Sequence, residues 1–355
     1  VLPAVEPITL VDHGKSATVL QMLAPLRPLL DRTDVTGLTI NRPGEVLAMT
    51  FAGWERHDMP SLTLGYIESL TRAIVVFNGM QVGPITSVVL PGGERGQIVR
   101  PPAVIDGAIS FSIRKHSLTV KTLETLTAEG AFAGTRDVSF NRPSEAEVAA
   151  ALSRTDFKRL EPFEADLLAL KREGDFLGFL SACVLAKRNI VITGKTGSGK
   201  TTLARSTIEK VPHHERLVTI EDVHELFLEN HPNKVHMLYG AGQGRVSADE
   251  CLASCMRQSP DRIFLAELRG AEAWEYLNSL NTGHPGSITT IHANSALDTF
   301  DRVATLAMKS QAAKQLELAA VRDLIWATVD VVVYMASRKV VEIFYDPIFR
   351  NSRRG

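Results

Sequence analysis

The sequence predicts an α/β fold, with a mostly parallel sheet covered by helices and preceded by a smaller α+β domain. Three observations carry this expectation. From about Asp175 onward, the short apolar runs "NIVIT", "RLVTI", "RIFLA" and "SITTI" alternate with helix-like segments, the rhythm of a parallel sheet. A glycine loop, "GKTGSGKTT", separates the first run from the helix pattern "KTTLARSTIEK". The first 140 or so residues mix strands and helices in a different rhythm, and 355 residues leave room for two domains. The expected division is an N-terminal domain over 1–140, a linker and lead-in over 141–175, and the sheet domain over 176–355.

In chain order, Leu20, Leu23, Leu26 and Leu30 recur at helical spacing and form a stripe expected to face the core. "VTGLTINRPGEVLAMTF" reads as two strands around a turn at Pro43 and Gly44. "SLTLGYIESLTRAIVVFNG" reads as a helix. Ser61 or Thr63 caps it, Tyr66, Ile67, Leu70, Ile74 and Phe77 line one face, and Gly79 ends it. "LPGGERGQIV" and "AISFSIRK" are further strands flanking the turn at Pro101 and Pro102. Segment 141–175 is richer in charge and holds helical stretches. "GAGQG", Gly240 to Gly244, reads as a mobile loop leading into a helix cap at "RVSADE", and not as a second nucleotide site. "DVVVYMASRKVVEIFYD" reads as an antiparallel hairpin on the sheet edge.

The glycine loop carries the chemistry. Gly194, Lys195, Thr196, Gly197, Ser198, Gly199, Lys200 and Thr201, followed by Thr202, fit G-x-x-x-x-G-K-[ST] in full. Glycines let the backbone curl so that N–H groups converge on phosphate oxygens, and the helix that follows aims its positive end at the same place. Lys200 can reach the terminal phosphates, and the Thr201 hydroxyl can ligate Mg²⁺. The strand-to-helix context fits a nucleoside triphosphate site. In a doubly wound sheet, ligands sit at the carboxyl ends of the strands. "RLVTI" runs into Glu221, Asp222, His224 and Glu225, "RIFLA" into Glu267, and "SITTI" into His292. Carboxylates can hold a metal and orient a water, and an imidazole can donate to phosphate. Singly, each has a bland reading: Glu221 and Asp222 as helix caps, Glu267 paired with Arg269 on the surface, and His292 as a core histidine. Their convergence after separate strands favours a site.

The totals bound the function class. A net charge of −1 argues against nucleic-acid binding by bulk charge. Three cysteines, Cys183, Cys251 and Cys255, fit a reducing compartment and small core positions better than a disulfide framework. The sequence shows no zinc cluster, no Ser-His-Asp order and no dinucleotide fingerprint. It shows no secretory signal, and no window approaches the roughly 18 apolar residues of a spanning helix, so the chain is expected in the cytosol.

"GKTGSGKTT", "TIEDVHEL" and "RQSPDRIFLAELRGAEAWEYLNSLNTGHPGSITTIHANSALDTFDRV" together resemble the four signatures of the secretion ATPase superfamily: its Walker A loop, acidic box, Walker B segment and histidine box. "LPGGERGQIVRPPAV" followed by "SFSIRK" is similar to the VirB-type type IV secretion branch, and the resemblance runs from about Val35 to Asp330. It implies a RecA-like ATPase domain. It places the Walker A lysine and threonine on Lys200 and Thr201, and the acidic-box glutamate, which orients water or metal, on Glu225. The Walker B glutamate falls on Glu267 and the histidine-box histidines on His284 and His292. Arg95 and Arg114 match N-terminal arginines that reach the nucleotide, and Arg257 matches a further recurring arginine. Thr201, Glu225 and Glu267 are the implied metal ligands. One departure is visible: Ala266 stands where the family has glycine before the Walker B glutamate.

The resemblance further implies a homohexamer of two stacked domains that hydrolyses ATP with Mg²⁺. It would work at the cytoplasmic face of the bacterial inner membrane, with peripheral association and the other type IV secretion components as partners. Its work would be pilus assembly and passage of secreted protein or nucleoprotein. The alternatives are a type II secretion or type IV pilus motor, which often carries a four-cysteine zinc module, and a RecA-like DNA-dependent ATPase.

Overall fold

The computed structural model describes residues 15–115, 121–156, 158–240 and 246–353. The chain forms two compact units, 1–118 and 119–355.

In the first unit the order is α1 (Lys15–Met22), α2 (Arg27–Leu30), β1 (Val35–Ile40), β2 (Glu45–Thr50), β3 (Gly53–Asp58), α3 (Leu64–Phe77), β4 (Ile85–Val89), β5 (Arg95–Val99) and β6 (Ser110–Arg114). The strands make an antiparallel sheet in the order β3-β2-β1-β6-β5-β4. Alternating residues of β5 and β6 are buried, so the sheet has one core face. On that face Leu38, Ile98 and Phe111 pack with Ile67, Leu70 and Ile74 of α3. The Thr63 hydroxyl accepts from the Tyr66 N–H at 3.2 Å and starts α3, and Gly79 at φ +66 follows its end. Of the leucine stripe, Leu23, Leu26 and Leu30 are buried, but Leu20 is exposed, because its side chain lies on the outer face of α1.

The second unit begins with α4 (Leu123–Ala128), β7 (Arg136–Asp137), α5 (Glu145–Leu152), α6 (Pro162–Glu173), α7 (Phe176–Leu185), β8 (Ile190–Gly194) and α8 (Lys200–Ile208). Then come β9 (Leu217–Glu221), β10 (Lys234–Leu238), α9 (Ala248–Cys255), β11 (Arg262–Leu265), α10 (Glu272–Asn281), β12 (Ile288–Ile291) and α11 (Asp298–Ala307). It closes with α12 (Leu318–Thr328), β13 (Val331–Ala336), β14 (Lys339–Tyr345) and α13 (Pro347–Ser352). Strands β10-β9-β11 and β12-β8-β13-β14-β7 form two ladders. A parallel bridge between Glu267 and Thr290 joins them at β11 and β12. All pairs are parallel except β13–β14. Apolar side chains from the strands pack into two core clusters with the helices. The expected α/β class, with a smaller α+β part before it, is what the structure has.

Two expectations need correction. The C-terminal hairpin is not an edge: β13 lies beside β8, and β14 carries β7 on its outer side. Val331, Val332 and Val333 are buried in succession, as an interior strand requires. The sequence pattern also leaves β3, β4 and β10 unannounced. β3 is the polar edge "GWERHD", β4 alternates with exposed residues, and β10 is only half-buried. The glycine-rich loop beyond Gly240 lies outside the described residues, while the cap after it is formed by Ser247 with Glu250.

Segment 141–175 is tied into this unit by charge. The buried Arg350 of α13 contacts both Glu164 of α6 and Asp330 before β13. Asp330 also accepts from the Asn189 N–H at 2.8 Å, at the entry to β8. Lys171 of α6 donates to the Tyr345 carbonyl at 2.7 Å and pairs with Asp137 at 3.0 Å. Removing one partner from such a cluster leaves the others charged and unsolvated. Arg350→Ala is therefore expected to cost about 3–5 kcal/mol of unfolding free energy, measured by urea denaturation. A loss below about 1 kcal/mol would show that the cluster is solvated.

Candidate functional site

β8 is buried along its whole length, so the loop after it starts from a fixed point. Gly194 has φ +148, and a Cβ there would lie 2.2 Å from the Met335 carbonyl oxygen. Gly197 and Gly199 have φ +76 and +100, in the left-handed region that favours glycine. The loop is braced from β13–β14: the Arg338 N–H donates to the Ser198 carbonyl at 3.1 Å. α8 then opens at Lys200, with its unsatisfied N–H groups and positive dipole end at the loop. Lys195, Thr196 and Gly197 are exposed, whereas Lys200 is buried and Thr201 and Thr202 are half-buried. Lys200 Nζ donates to the carbonyls of Gly194 at 2.8 Å and Lys195 at 3.1 Å. The buried Ser198 hydroxyl has no hydrogen-bond partner among the described residues. A cleft of about 670 Å³ opens beside the loop, lined among others by Lys195, Thr196, His292, Asp298 and Arg302. Backbone donors, a buried hydroxyl and a lysine held on loop carbonyls fit a phosphate group.

The parallel strands bring their carboxyl ends to the same edge. His292, just after β12, places Nδ1 3.0 Å from the Gly194 carbonyl and 3.3 Å from Lys200 Nζ. Its Nε2 lies 2.9 Å from Glu267 Oε1. The imidazole thus bridges the loop to Glu267. Arg269 forks onto the other Glu267 oxygen through Nε at 2.9 Å and Nη2 at 2.6 Å, and its third nitrogen reaches Asp222. The simple surface pairing of Glu267 with Arg269 therefore exists, but inside a wider network of Lys200, His292, Glu267, Arg269 and Asp222. The Ala266 methyl is accommodated against the core, and its backbone keeps both ladders, to Ile220 at 3.0 Å and Thr290 at 3.2 Å.

Glu221 behaves differently from its neighbours. It is fully buried at the end of β9. Its Oε2 accepts the backbone N–H groups of Glu225 at 2.7 Å and Leu226 at 2.8 Å. Burial alone would raise its carboxyl, but hydrogen bonds from His224, His236 and those two N–H groups outweigh it and hold the group far below the usual carboxylate range. Glu221 thereby shapes the turn that carries Glu225, which is half-buried and whose charge faces Arg205 of α8. His284 lies before β12, at the strands' amino ends, and bonds the Pro260 carbonyl at 3.0 Å; it is not beside the loop. Arg95 and Arg114, in the first unit, are direct cross-strand partners at one end of β5 and β6. Sequence reasoning did not single out Arg269 as a network member, Glu221 as the turn's anchor, or Arg338 as the loop's brace.

Comparison with known proteins decides the family. The sequence profile described as "Type II/IV secretion system protein" matches residues 159–342. The type IV secretion system protein VirB11 of Brucella suis is 41% identical over 96% of this chain and 93% of its own length. The chain belongs to the type IV secretion ATPases of the secretion ATPase superfamily. The family likeness also extends to PtlH of Bordetella pertussis, 36% identical over 93% of this chain and 96% of that one. The crystal structure of the Brucella suis VirB11 ATPase, in complex with sulphate, superposes with a TM-score of 0.53 at 40% identity, covering 96% of this chain and 98% of that one. The pilus retraction motor PilT with bound ADP shares the fold at a TM-score of 0.55 and 17% identity, over 94% of this chain and 85% of that one. As a secretion ATPase the chain uses a nucleotide.

The two close relations at the loop make a graded test. Gly194→Ala meets both an unfavourable φ and the Met335 carbonyl, so it should cost roughly 2 kcal/mol or more. Gly197→Ala meets open space and should cost only the left-handed penalty, about 1–2 kcal/mol. Denaturant unfolding of both variants checks the order; equal losses would remove the close approach as a constraint.

Proposed function

We propose that the chain hydrolyses Mg²⁺-ATP as one subunit of a homohexameric ring, peripheral to the cytoplasmic face of the bacterial inner membrane. There it powers type IV secretion, in pilus assembly and in passage of protein or nucleoprotein, with other secretion-system components as partners. The observation that carries the chemical part is the meeting of Lys200, His292 and Glu267 on one glycine loop. No helix among the described residues is long and apolar enough to cross a membrane, which suits peripheral attachment.

In this reading the backbone of residues 194–202 cradles the phosphates. Lys200 exchanges its loop carbonyls for phosphate oxygens and balances the charge that develops on them. Mg²⁺ supplies charge neutralisation when bound, and the Thr201 hydroxyl, Glu225 and Glu267 are the residues to hold it directly or through water. Glu225 or Glu267 orients the attacking water and takes its proton. Arg269 holds Glu267 in its orientation. His292 moves with the phosphate, since it touches both the loop and Glu267. Arg95 and Arg114 neutralise phosphate charge from the first unit. Two arginines directly opposed across a ladder repel each other, which favours an anion near them. The 41% identity to a type IV protein supports this branch over a type II or pilus motor. ATPase assays with and without DNA test the DNA-dependent alternative.

Lys200→Ala should abolish turnover in a folded protein, as read by phosphate release. Glu225→Gln and Glu267→Gln keep shape and lose charge, so nucleotide affinity should persist while turnover falls by about ten- to a thousandfold. A variant that hydrolyses ATP at the normal rate marks its residue as structural.

Arg114→Ala should fold and assemble yet lose most ATPase activity, with Arg95→Ala similar or milder. A phosphoryl-neutralising arginine is worth orders of magnitude in rate, whereas a solvated one is worth almost nothing. Normal kcat in both variants would reduce the first unit to docking or assembly.

A further inference from the structure

We propose that Glu221, His224 and His236 form a binding site for a borderline-soft divalent ion of the zinc class, separate from the nucleotide's Mg²⁺. β9 and β10 run parallel with Thr219 opposite His236, which sets His236 beside the carboxylate that ends β9. His224 arrives on the following turn. Its Nδ1 lies 3.2 Å from Glu221 Oε1, and the Nδ1 of His236 lies 3.7 Å from the same oxygen. One ligand atom from each residue lies within 4.8 Å of the others. Around a tetrahedral zinc with bonds near 2.0–2.1 Å, neighbouring donor atoms are about 3.3–3.4 Å apart, so the two short edges, 3.2 and 3.7 Å, bracket the required length. The imidazole planes are tilted by 56° with centroids 4.3 Å apart, and both Nδ1 atoms face the same carboxylate oxygen.

The donor set has the chemistry of an open zinc site: two imidazole nitrogens, one carboxylate oxygen and a fourth position for water. Mg²⁺ favours oxygen ligands in near-octahedral geometry and is poorly served by it. The outer contacts are built as well. Glu221 Oε2 is fixed by two backbone N–H groups, and Thr219 Oγ1, 2.8 Å from both Glu221 Oε1 and His236 Nδ1, holds these two atoms together until an ion takes its place at His236. Such partners orient ligands. The carboxylate is fully buried while His224 and His236 are partly exposed, so an ion can enter from the imidazole side. In the bound form each imidazole turns its Nδ1 lone pair to the ion and carries its proton on Nε2. The cysteine thiols compete weakly, since burial pushes Cys255 up to about 12 and Cys251 and Cys183 also upward. An ion here clamps the turn that carries Glu225. That consequence rests on the role proposed for Glu225, but the binding itself does not.

The test uses the full chain without nucleotide. Zn²⁺ is titrated by calorimetry in excess Mg²⁺, and Co²⁺ is added as an optical probe. One ion per chain and the intense visible absorption of tetrahedral Co²⁺ are expected. His224→Ala and His236→Ala should each weaken Zn²⁺ at least tenfold and erase the Co²⁺ band. His213→Ala should leave Zn²⁺ binding unchanged. His224 is partly exposed, so its variant should fold even if the His236 variant does not. No stoichiometric Zn²⁺ uptake by the wild type, or wild-type affinity in His224→Ala, overturns the site regardless of ATPase activity.

Discussion

The second unit depends on one close approach, that of the Gly194 backbone to the carbonyl of Met335. No side chain fits between them, so β8 and β13 meet main chain to main chain where the phosphate loop begins. That contact needs β13 beside β8 in the sheet, which in turn needs the last forty residues to return to the centre of the fold. The same return delivers Arg338 to the Ser198 carbonyl. The loop's wall is thus made by residues some 140 positions downstream. Arg350 and Asp330 fasten that wall to the entry of β8 and to α6.

Polar and charged groups around the loop form one connected chain. Lys200, His292, Glu267, Arg269 and Asp222 run in sequence, each within contact of the next. Glu267 and Asp222 would repel if they shared the strand ends alone, and Arg269 supplies the counter-charge for both. A fork on one Glu267 oxygen also fixes the orientation of that carboxylate. Lys200 at rest bonds two carbonyls of its own loop. An arriving phosphate therefore replaces existing bonds and does not solvate a bare charge. This lowers the gain from binding but keeps the buried ammonium satisfied without a ligand.

Much of this was legible in the sequence, and what was not has physical reasons. β8, its loop and α8 were plain, because an apolar run, positive-φ glycines and a helix pattern agree with one another. β9, β11 and β12 followed from buried runs, and their parallel order put Glu267 and His292 on one edge. β3 and β4 escaped because edge strands need no apolar alternation, and "GWERHD" has almost none. The hairpin's interior place escaped because the pairing of β7 with β14 joins residues some 200 apart. The convergence of Glu221, His224 and His236 was invisible for a similar reason. No ligand spacing links positions 224 and 236, and only the lateral pairing of β9 with β10 does.

The string "EDVHE" shows how far burial outranks residue type. Glu221, Asp222 and Glu225 are the same functional group within five positions, and each meets a different environment. Glu221 is buried and spends both oxygens on local partners: N–H groups, a hydroxyl and imidazoles. Asp222 is committed to Arg269. Glu225 faces Arg205 on the helix that starts at the phosphate loop. A carboxylate already saturated by four donors has little basicity left for a water molecule, so Glu221 is poorly suited to proton transfer and well suited to fixing a turn. Glu225 is half-buried and receives its position from Glu221 through its own N–H. It is the member of the trio to which the proposed function gives the water or the metal. The turn divides the labour: one charge is used up inside so that another can be held at the edge of the site.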